Sequence, residues 1–323
     1  MTRIALVTAP AARGTDYDMP PLLAAMRQAG ADAHEVDWDD DAIDWPEFDL
    51  VLLRSTWDYF ERLPEFLAWA ERVSEQTRLL NPLDVIRWNT DKHYLADLER
   101  AGVPVVPSTF IEPRENAHHA VDQFLAQYGP LTPTLSPRGR GGKNDIVVKP
   151  AVGAGSRDAQ RHARDDRAAI VAHVERLLDA KRSVLLQPYL DRVDQHGETA
   201  LLFFDGVFTH AIRKGPLLKR GAGATTGLFA KETIEPRTPS ADEIAVAQHA
   251  VAAIPFEQPL LYARVDLIHD DDGSPRLLEL ELVEPSVFVG YADGAAERFA
   301  QAIVQRADLE KPIATRRCAP PSP

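Results

Sequence analysis

Three carboxylates near the C-terminus carry the clearest chemical signal. Asp266 sits in an apolar run from Leu260 to Ile268. Glu279 and Glu281 sit in a second run from Arg276 to Val283, beyond a turn-rich stretch, Asp270 to Pro275. Side chains alternate along a strand, so Glu279 and Glu281 face the same way, and antiparallel pairing around the turn brings Asp266 near them. Each acid is flanked by apolar residues (Val265, Leu267, Leu278, Leu280, Leu282), so the acids form a polar stripe on strands whose other face is buried. Crowded like charges repel unless neutralised, and a hard divalent cation with oxygen ligands is the usual remedy. The set therefore reads as a Mg2+ (or Mn2+) site; for these three residues alone, a solvent-facing sheet edge is the alternative.

A second group suits a polyphosphate. Lys149 ends the apolar run Asp145 to Pro150, and a small-residue loop containing Gly153, Gly155 and Ser156 follows; Lys92 stands at a helix start. Small residues let backbone N–H groups approach phosphate oxygens, and lysine supplies point charges. No G-x-x-x-x-G-K-[ST] occurs, so this is not a P-loop, and no G-x-G-x-x-G follows the first strand, which argues against a dinucleotide fold in residues 1–90. A third group, Arg54, Ser55 and Thr56, ends the run Leu50 to Arg54, where open parallel sheets place ligands. It is a candidate substrate loop, with an Arg54–Asp58 pair beside a packed Trp57 as the structural alternative.

The elements that must position these groups are legible in outline. Ile4 to Thr8, a helix opened by Pro20-Pro21 and closed by Gly30, Ala33 to Val36, and Leu50 to Arg54 form an α/β start. A helix with Leu63, Phe66, Leu67 and Ala70 follows, then Leu79 to Pro82 as strand and turn. Thr90 or Asp91 is expected to cap the next helix, which Gly102 ends. A helix over 166–180 leads to a strand at 184–190. Thr199 to Phe204 and Val207 to Ile212 are joined by Asp205-Gly206, a strong hairpin signal. Helices are expected over 241–253 and 294–306. The division is 1–90 as an α/β domain, 91–190 with an inserted loop at 130–143, 191–310 carrying the acids, and 311–323 as a tail.

Composition bounds the function. The 323 residues carry 36 Lys and Arg against 49 Asp and Glu, a net charge of −13, and 45% are hydrophobic. An extended nucleic-acid surface would form against that field. The single cysteine, Cys318, cannot form an internal disulfide, and no apolar run approaches the roughly 18 residues of a membrane span. A cytoplasmic protein is expected, with no membrane or nucleic-acid partner and with a homodimer left open.

In this order the residues resemble the ATP-grasp family of carboxylate–amine ligases over about residues 90 to 305. The resemblance implies α/β and α+β structure: an N-terminal pre-ATP-grasp (Rossmann-like) domain followed by an ATP-grasp fold of two α+β subdomains. It implies that Lys92 and Lys149, with Gly153, Gly155 and Ser156, hold the phosphates of ATP. The hinge Gln187, Tyr189 and Leu190 would take the adenine and Asp194 the ribose, with Asp191 and Glu198 also within reach. Asp266, Glu279 and Glu281, spaced 13 and 2 residues apart, match the metal spacing of D-alanine:D-alanine ligases, with Glu281 where the family commonly has Asn. Arg213 and Lys214 match the segment that approaches the γ-phosphate. The substrate is expected against Arg54, Ser55, Thr56, Glu284 and Ser286, together with Thr225 and Thr226; Gly221 to Gly227 reads as a lid or a plain loop.

More narrowly, Val148 to Ser156 and Leu278 to Ser286 are similar to a bacterial group whose known activity is the cycloserine-forming O-ureido-serine cyclo-ligase. The expectation is an ATP- and Mg2+-dependent ligase acting on a small amino-acid-like carboxylate and amine through an acyl phosphate, with ring closure as one form. The alternatives are a ligase modifying a protein tail and a non-catalytic nucleotide-binding module.

Overall fold

The computed structural model describes residues 1–128, 145–221, 233–257 and 259–309. The expected loop at 130–143, Thr225 and Thr226 with most of the Gly221–Gly227 segment, and the tail with Cys318 lie outside them.

The N-terminal runs form a parallel sheet. Strands β1 (Arg3–Thr8), β2 (Asp32–Asp37), β3 (Leu50–Ser55) and β4 (Leu79–Leu80) order as β2-β1-β3-β4. All of β3 and all but the first residue of β1 are buried, as their unbroken apolar runs require when both faces are covered. Helix α1 (Met19–Gln28) starts on its two prolines, and α2 (Leu63–Gln76) buries Phe66, Trp69, Ala70 and Val73. The order reverses between β1 and β3, so the loops leaving their C-terminal ends open a crevice.

Helices α3 (Leu83–Asn89) and α4 (Tyr94–Arg100) join this sheet to the next. This corrects the expected start at Thr90: Thr90 closes α3, and the Asp91 carboxylate accepts the His93 N–H (3.1 Å) just ahead of α4. Gly102, at φ 88°, ends α4 as expected.

The second sheet, antiparallel in the order β5-β8-β6-β7, contains β5 (Thr109–Ile111), β6 (Ile146–Pro150), β7 (Gln160–His162) and β8 (Val184–Pro188). Helices α5 (Ala117–Gln127) and α6 (Arg167–Asp179) cover it, packing Val121, Phe124, Ile170 and Val174 onto Val148 and Leu186. The third sheet, antiparallel in the order β11-β10-β9-β12-β13, follows a short helix, α7 (Val193–His196). Its strands are β9 (Glu198–Phe204), β10 (Val207–Lys214), β11 (Ile234–Arg237), β12 (Tyr262–His269) and β13 (Pro275–Glu281). Asp205 and Gly206 turn the β9–β10 hairpin with positive φ at both positions, 49° and 77°. Helix α8 (Ala241–Ala252) backs this sheet and begins with a reciprocal Ser240–Glu243 capping box.

The last helix, α9 (Ala295–Leu309), returns to the start of the chain. Its Phe299 and Ile303 share a core with Ile4, Leu6, Leu22, Met26 and Leu52, as well as with Leu202 and Tyr262 of the third sheet. Among the described residues no helix is long and apolar enough to cross a membrane.

Candidate active site

The acids converge through a feature that alternation alone does not contain. Strands β12 and β13 pair Leu267 with Leu277 but Asp266 with Glu279, so Leu278 is an extra residue in a bulge. Without it Asp266 would face Leu278, and Glu279 would turn to the other side of the sheet. With it, Asp266, Glu279 and Glu281 offer oxygens that all lie within 4.8 Å of one another. The outer edge of β13 is held by side chains from α3 and α4. Asn89 donates to the Leu280 carbonyl (2.8 Å) and accepts the Leu282 N–H (2.7 Å), and the Tyr94 hydroxyl accepts the Leu280 N–H (3.0 Å).

Cations from three strands and from the turn between α3 and α4 meet these acids. Lys92 reaches Glu279 at 3.0 Å and Lys149 reaches it at 3.7 Å; Lys214 lies 2.8 Å from Asp266 and also pairs with Glu198. Arg264, two residues before Asp266 and so on the same face, bonds Asp266 at 2.9 Å and pairs with Glu281. Burial alone would raise every one of these carboxyl groups. For Glu279, Lys92 and Lys149 reverse that and hold it well below the usual range. Asp266 is lowered in the same way by Arg264 and Lys214. Glu281 has less compensation: burial and the charges of Asp266 and Glu279, against Arg264, push it up to about 7. For the lysines, burial lowers Lys149, whereas at Lys92 burial is outweighed by Glu279, Glu281 and Glu284 together and the net shift is upward.

Apart from Asp266, which is fully buried behind Lys214 and Arg264, these groups line one cavity of about 770 Å3 that also borders the crevice of the parallel sheet. Gly153, Gly155 and Ser156 form its wall next to Lys149, and Lys92 Nζ donates to the Gly153 carbonyl (3.0 Å). Gln187, Tyr189 and Leu190 line the far end beside Glu198. Glu284 and Ser286 line the near end with Tyr59. Burial and the nearby Glu281 push the Glu284 carboxyl up to about 8.

A family model described as the N-terminal domain of D-cycloserine synthetase DcsG matches residues 4–81. The cycloserine biosynthesis protein DcsG of Streptomyces lavendulae is 44% identical over 307 residues, spanning 94% of this chain and 98% of that protein. The chain belongs to the DcsG family. The crystal structure of D-cycloserine synthetase DcsG superposes with a TM-score of 0.85 at 43% identity, over 94% of this chain and 99% of that one. D-alanine–D-alanine ligase from Bacillus anthracis shares the fold, with a TM-score of 0.65 at 16% identity over 95% and 97%. So does the ATP-grasp ligase PsnB, with a TM-score of 0.59 at 20% identity over 95% and 99%.

Within this ATP-grasp frame several expected residues stand elsewhere. Arg213 does not face the cavity; it alternates with Lys214 on β10 and bonds the His196 carbonyl (2.8 Å) on the other side of the sheet. Asp194 is turned away, accepting from Tyr189 Oη (2.5 Å) and from Arg161, which also takes Asp191. Of the three acids considered for the ribose, Glu198 is the one in the cavity wall.

Arg54, Ser55 and Thr56 are fully buried and outside the cavity wall, which corrects their direct substrate role. Arg54 instead donates to the Pro285 carbonyl (3.1 Å), beside Asp18 at 3.9 Å. Asp18, which sequence reading passed over, accepts three successive N–H groups, from Val287 (2.7 Å), Phe288 (2.9 Å) and Val289 (2.8 Å). Phe288 at φ 50° curls the backbone into that nest. With Trp57 donating to the Glu284 carbonyl (2.9 Å), the first domain thus holds the loop that carries Glu284 and Ser286. Arg264 was detectable from its i, i+2 relation to Asp266; Asp18 sits in an irregular loop and left no periodic signal.

Proposed function

We propose that this protein is an ATP- and Mg2+-dependent ligase that joins a carboxylate to an amine within one small amino-acid-like molecule, a cyclo-ligase of the kind the name cycloserine synthetase denotes. The observation that carries the reading is the meeting of Lys92, Lys149 and Lys214 with the cluster Asp266, Glu279 and Glu281, of which Glu279 and Glu281 line one cavity with the three lysines. The near full-length identity to DcsG supports ring closure over ligation of two substrates.

The donor set fits the metal: three carboxylates within 4.8 Å, all oxygen, suit a hard cation, and PsnB, which shares the fold, was solved with Mg and ADP. Asp266, Glu279 and Glu281 would hold Mg2+, whose contribution is to neutralise phosphate charge. Lys92 and Lys149 present ammonium groups toward the phosphates, and the Gly153–Gly155 backbone admits their oxygens closely. Gln187 to Leu190 receive the base, with Glu198 the acid in reach of the ribose. Lys214 stands at the reacting end, where negative charge develops.

In the reaction a substrate carboxylate oxygen attacks the γ-phosphorus and the bond to ADP breaks. The substrate nitrogen then attacks the acyl carbon, the bond to phosphate breaks, and the nitrogen gives up a proton. When the substrate is O-ureido-serine the ring nitrogen still bears a carbamoyl group, and water cleaves that C–N bond, releasing carbon dioxide and ammonia and leaving cycloserine. The protein positions and neutralises, and no covalent enzyme intermediate is needed.

The test is ATP-dependent turnover of either enantiomer of O-ureido-serine, followed by ADP release and by mass spectrometry for cycloserine. Cycloserine formed only with ATP and Mg2+ is expected. ADP release without a cyclic product, with an amide formed from two added amino acids, would replace ring closure by ligation.

A further inference from the structure

Behind the far end of the cavity lies an ionic network that the proposed chemistry does not use. Asp145, 1% exposed, directly precedes β6 and receives two guanidinium groups. Arg161 of β7 donates to its Oδ2 (2.7 Å), and Arg220 donates to Oδ2 (2.9 Å) and Oδ1 (2.6 Å). The Asp145 carbonyl accepts the Tyr189 N–H (2.7 Å). The Arg161 guanidinium lies over the Tyr189 ring, 3.5 Å from its centroid, and also bonds Asp194, which takes the Tyr189 hydroxyl. Arg220 lies on the segment that leaves β10, and Pro216, Leu217 and Leu218 of that segment line the cavity with Tyr189 and Leu190. One carboxylate therefore ties the second sheet, the hinge and a strap from the third sheet.

We infer that Asp145 is a positioning residue for the nucleotide: through Arg161 it fixes the hinge at Tyr189, and through Arg220 it fastens the Pro216–Leu218 strap beside it. The inference rests on the ATP-dependent reading above. Charge-assisted, bidentate bonds of this kind fix geometry as well as add energy. Their loss loosens the walls around the base and leaves the reacting end, with Lys214, Glu279 and Glu281, as it was.

The experiment compares wild type, Arg220→Ala, Arg220→Lys and Asp145→Asn. The affinity for a non-hydrolysable ATP analogue with Mg2+ is measured by calorimetry, alongside steady-state kinetics and thermal melting. Arg220 is half exposed, so its removal leaves folding intact and keeps the test independent of Asp145. Arg220→Ala and Asp145→Asn are each expected to weaken nucleotide binding about tenfold and raise the KM for ATP in parallel. The kcat at saturating ATP should stay within about twofold, and Arg220→Lys should recover part of the affinity. Adding Arg220→Ala to Asp145→Asn should cost little more than Asp145→Asn alone, because the Arg220 contact is already weakened there. Wild-type affinity in Arg220→Ala, or a fall in kcat without a change in affinity, would overturn the inference. A wild-type protein that binds no nucleotide would overturn the parent reading and this one with it.

Discussion

Asp266 and Glu279 stand opposite each other across β12 and β13, and each is met by a lysine from a different part of the chain, Lys214 on one and Lys92 on the other. The pairing makes Glu279 the group on which two lysines converge, since Lys149 reaches the same oxygen. Replacing it by Gln keeps shape and removes the charge that both lysines share. Substrate-dependent ADP release by Glu279→Gln should fall by about 100-fold or more. Release within a few-fold of wild type would remove Glu279 from the metal set.

Asp266 tests the same cluster from the side of stability. It is fully buried and accepts from Arg264 and Lys214, so Asp266→Asn leaves two cations in the interior with less to neutralise them. A loss of about 3–5 kcal/mol is expected, the usual cost of breaking a buried charge pair from one side. Denaturant unfolding without metal measures it directly. A variant as stable as wild type would mean that solvent reaches this cluster.

What could be read in advance divides by the kind of signal each residue carries. β1, β3, β9, β10, α6 and α8 have unbroken apolar runs, helical periodicity or a two-residue turn, and all are found where expected. β7 and β11, with the sequences Gln-Arg-His and Ile-Glu-Pro-Arg, have neither alternation nor length, because a neighbouring strand rather than their own composition makes them strands. At the site, Lys92, Lys149, Asp266, Glu279 and Glu281 were legible from type and order. The bulge at Leu278 was not, since register is settled by pairing across a hairpin. Arg54 was misplaced for a related reason: the end of a parallel strand marks the crevice, but which side chain turns into it depends on the loop that packs above.

The nest at Asp18 predicts an effect on chemistry through position. Asp18→Ala leaves the buried N–H groups of Val287 and Val289 without their acceptor. A cost of about 3 kcal/mol is expected. The loop bearing Glu284 and Ser286 would lose its anchor, so kcat should fall while nucleotide affinity holds. Equal losses in both would point to general disruption instead.

A pH dependence follows from His173, buried in α6 and bonded to His162 (3.0 Å). Burial, with the positive charges of Arg176 and His162, pushes its pKa down to about 4. The unfolded chain binds that proton near 6.5, so between these values the unfolded state holds more protons and stability falls as pH falls. The decline should run from about pH 6.5 to about 4 and then level off for this group. His173→Gln should flatten that part of a stability–pH curve; an unchanged slope would assign the dependence to other residues.

Helix α9 makes the strongest prediction about how the chain is divided. Phe299 is fully buried, stacks on Phe204 of β9 with ring centroids 4.3 Å apart, meets Tyr262 of β12 edge-on, and lies under the Arg54 guanidinium. One side chain thus touches the third sheet and the first domain, beside the arginine that holds the Pro285 carbonyl. Phe299→Ala should cost about 3–5 kcal/mol. It should also loosen the Arg54 contact, so kcat should drop in molecules that remain folded. A chain ending at residue 293 would expose Ile4, Leu22, Met26 and Leu52 together. If residues 1–90 were an independent unit, that truncation would leave their unfolding unchanged. The shared core predicts that soluble protein with a cooperative melt is not recovered.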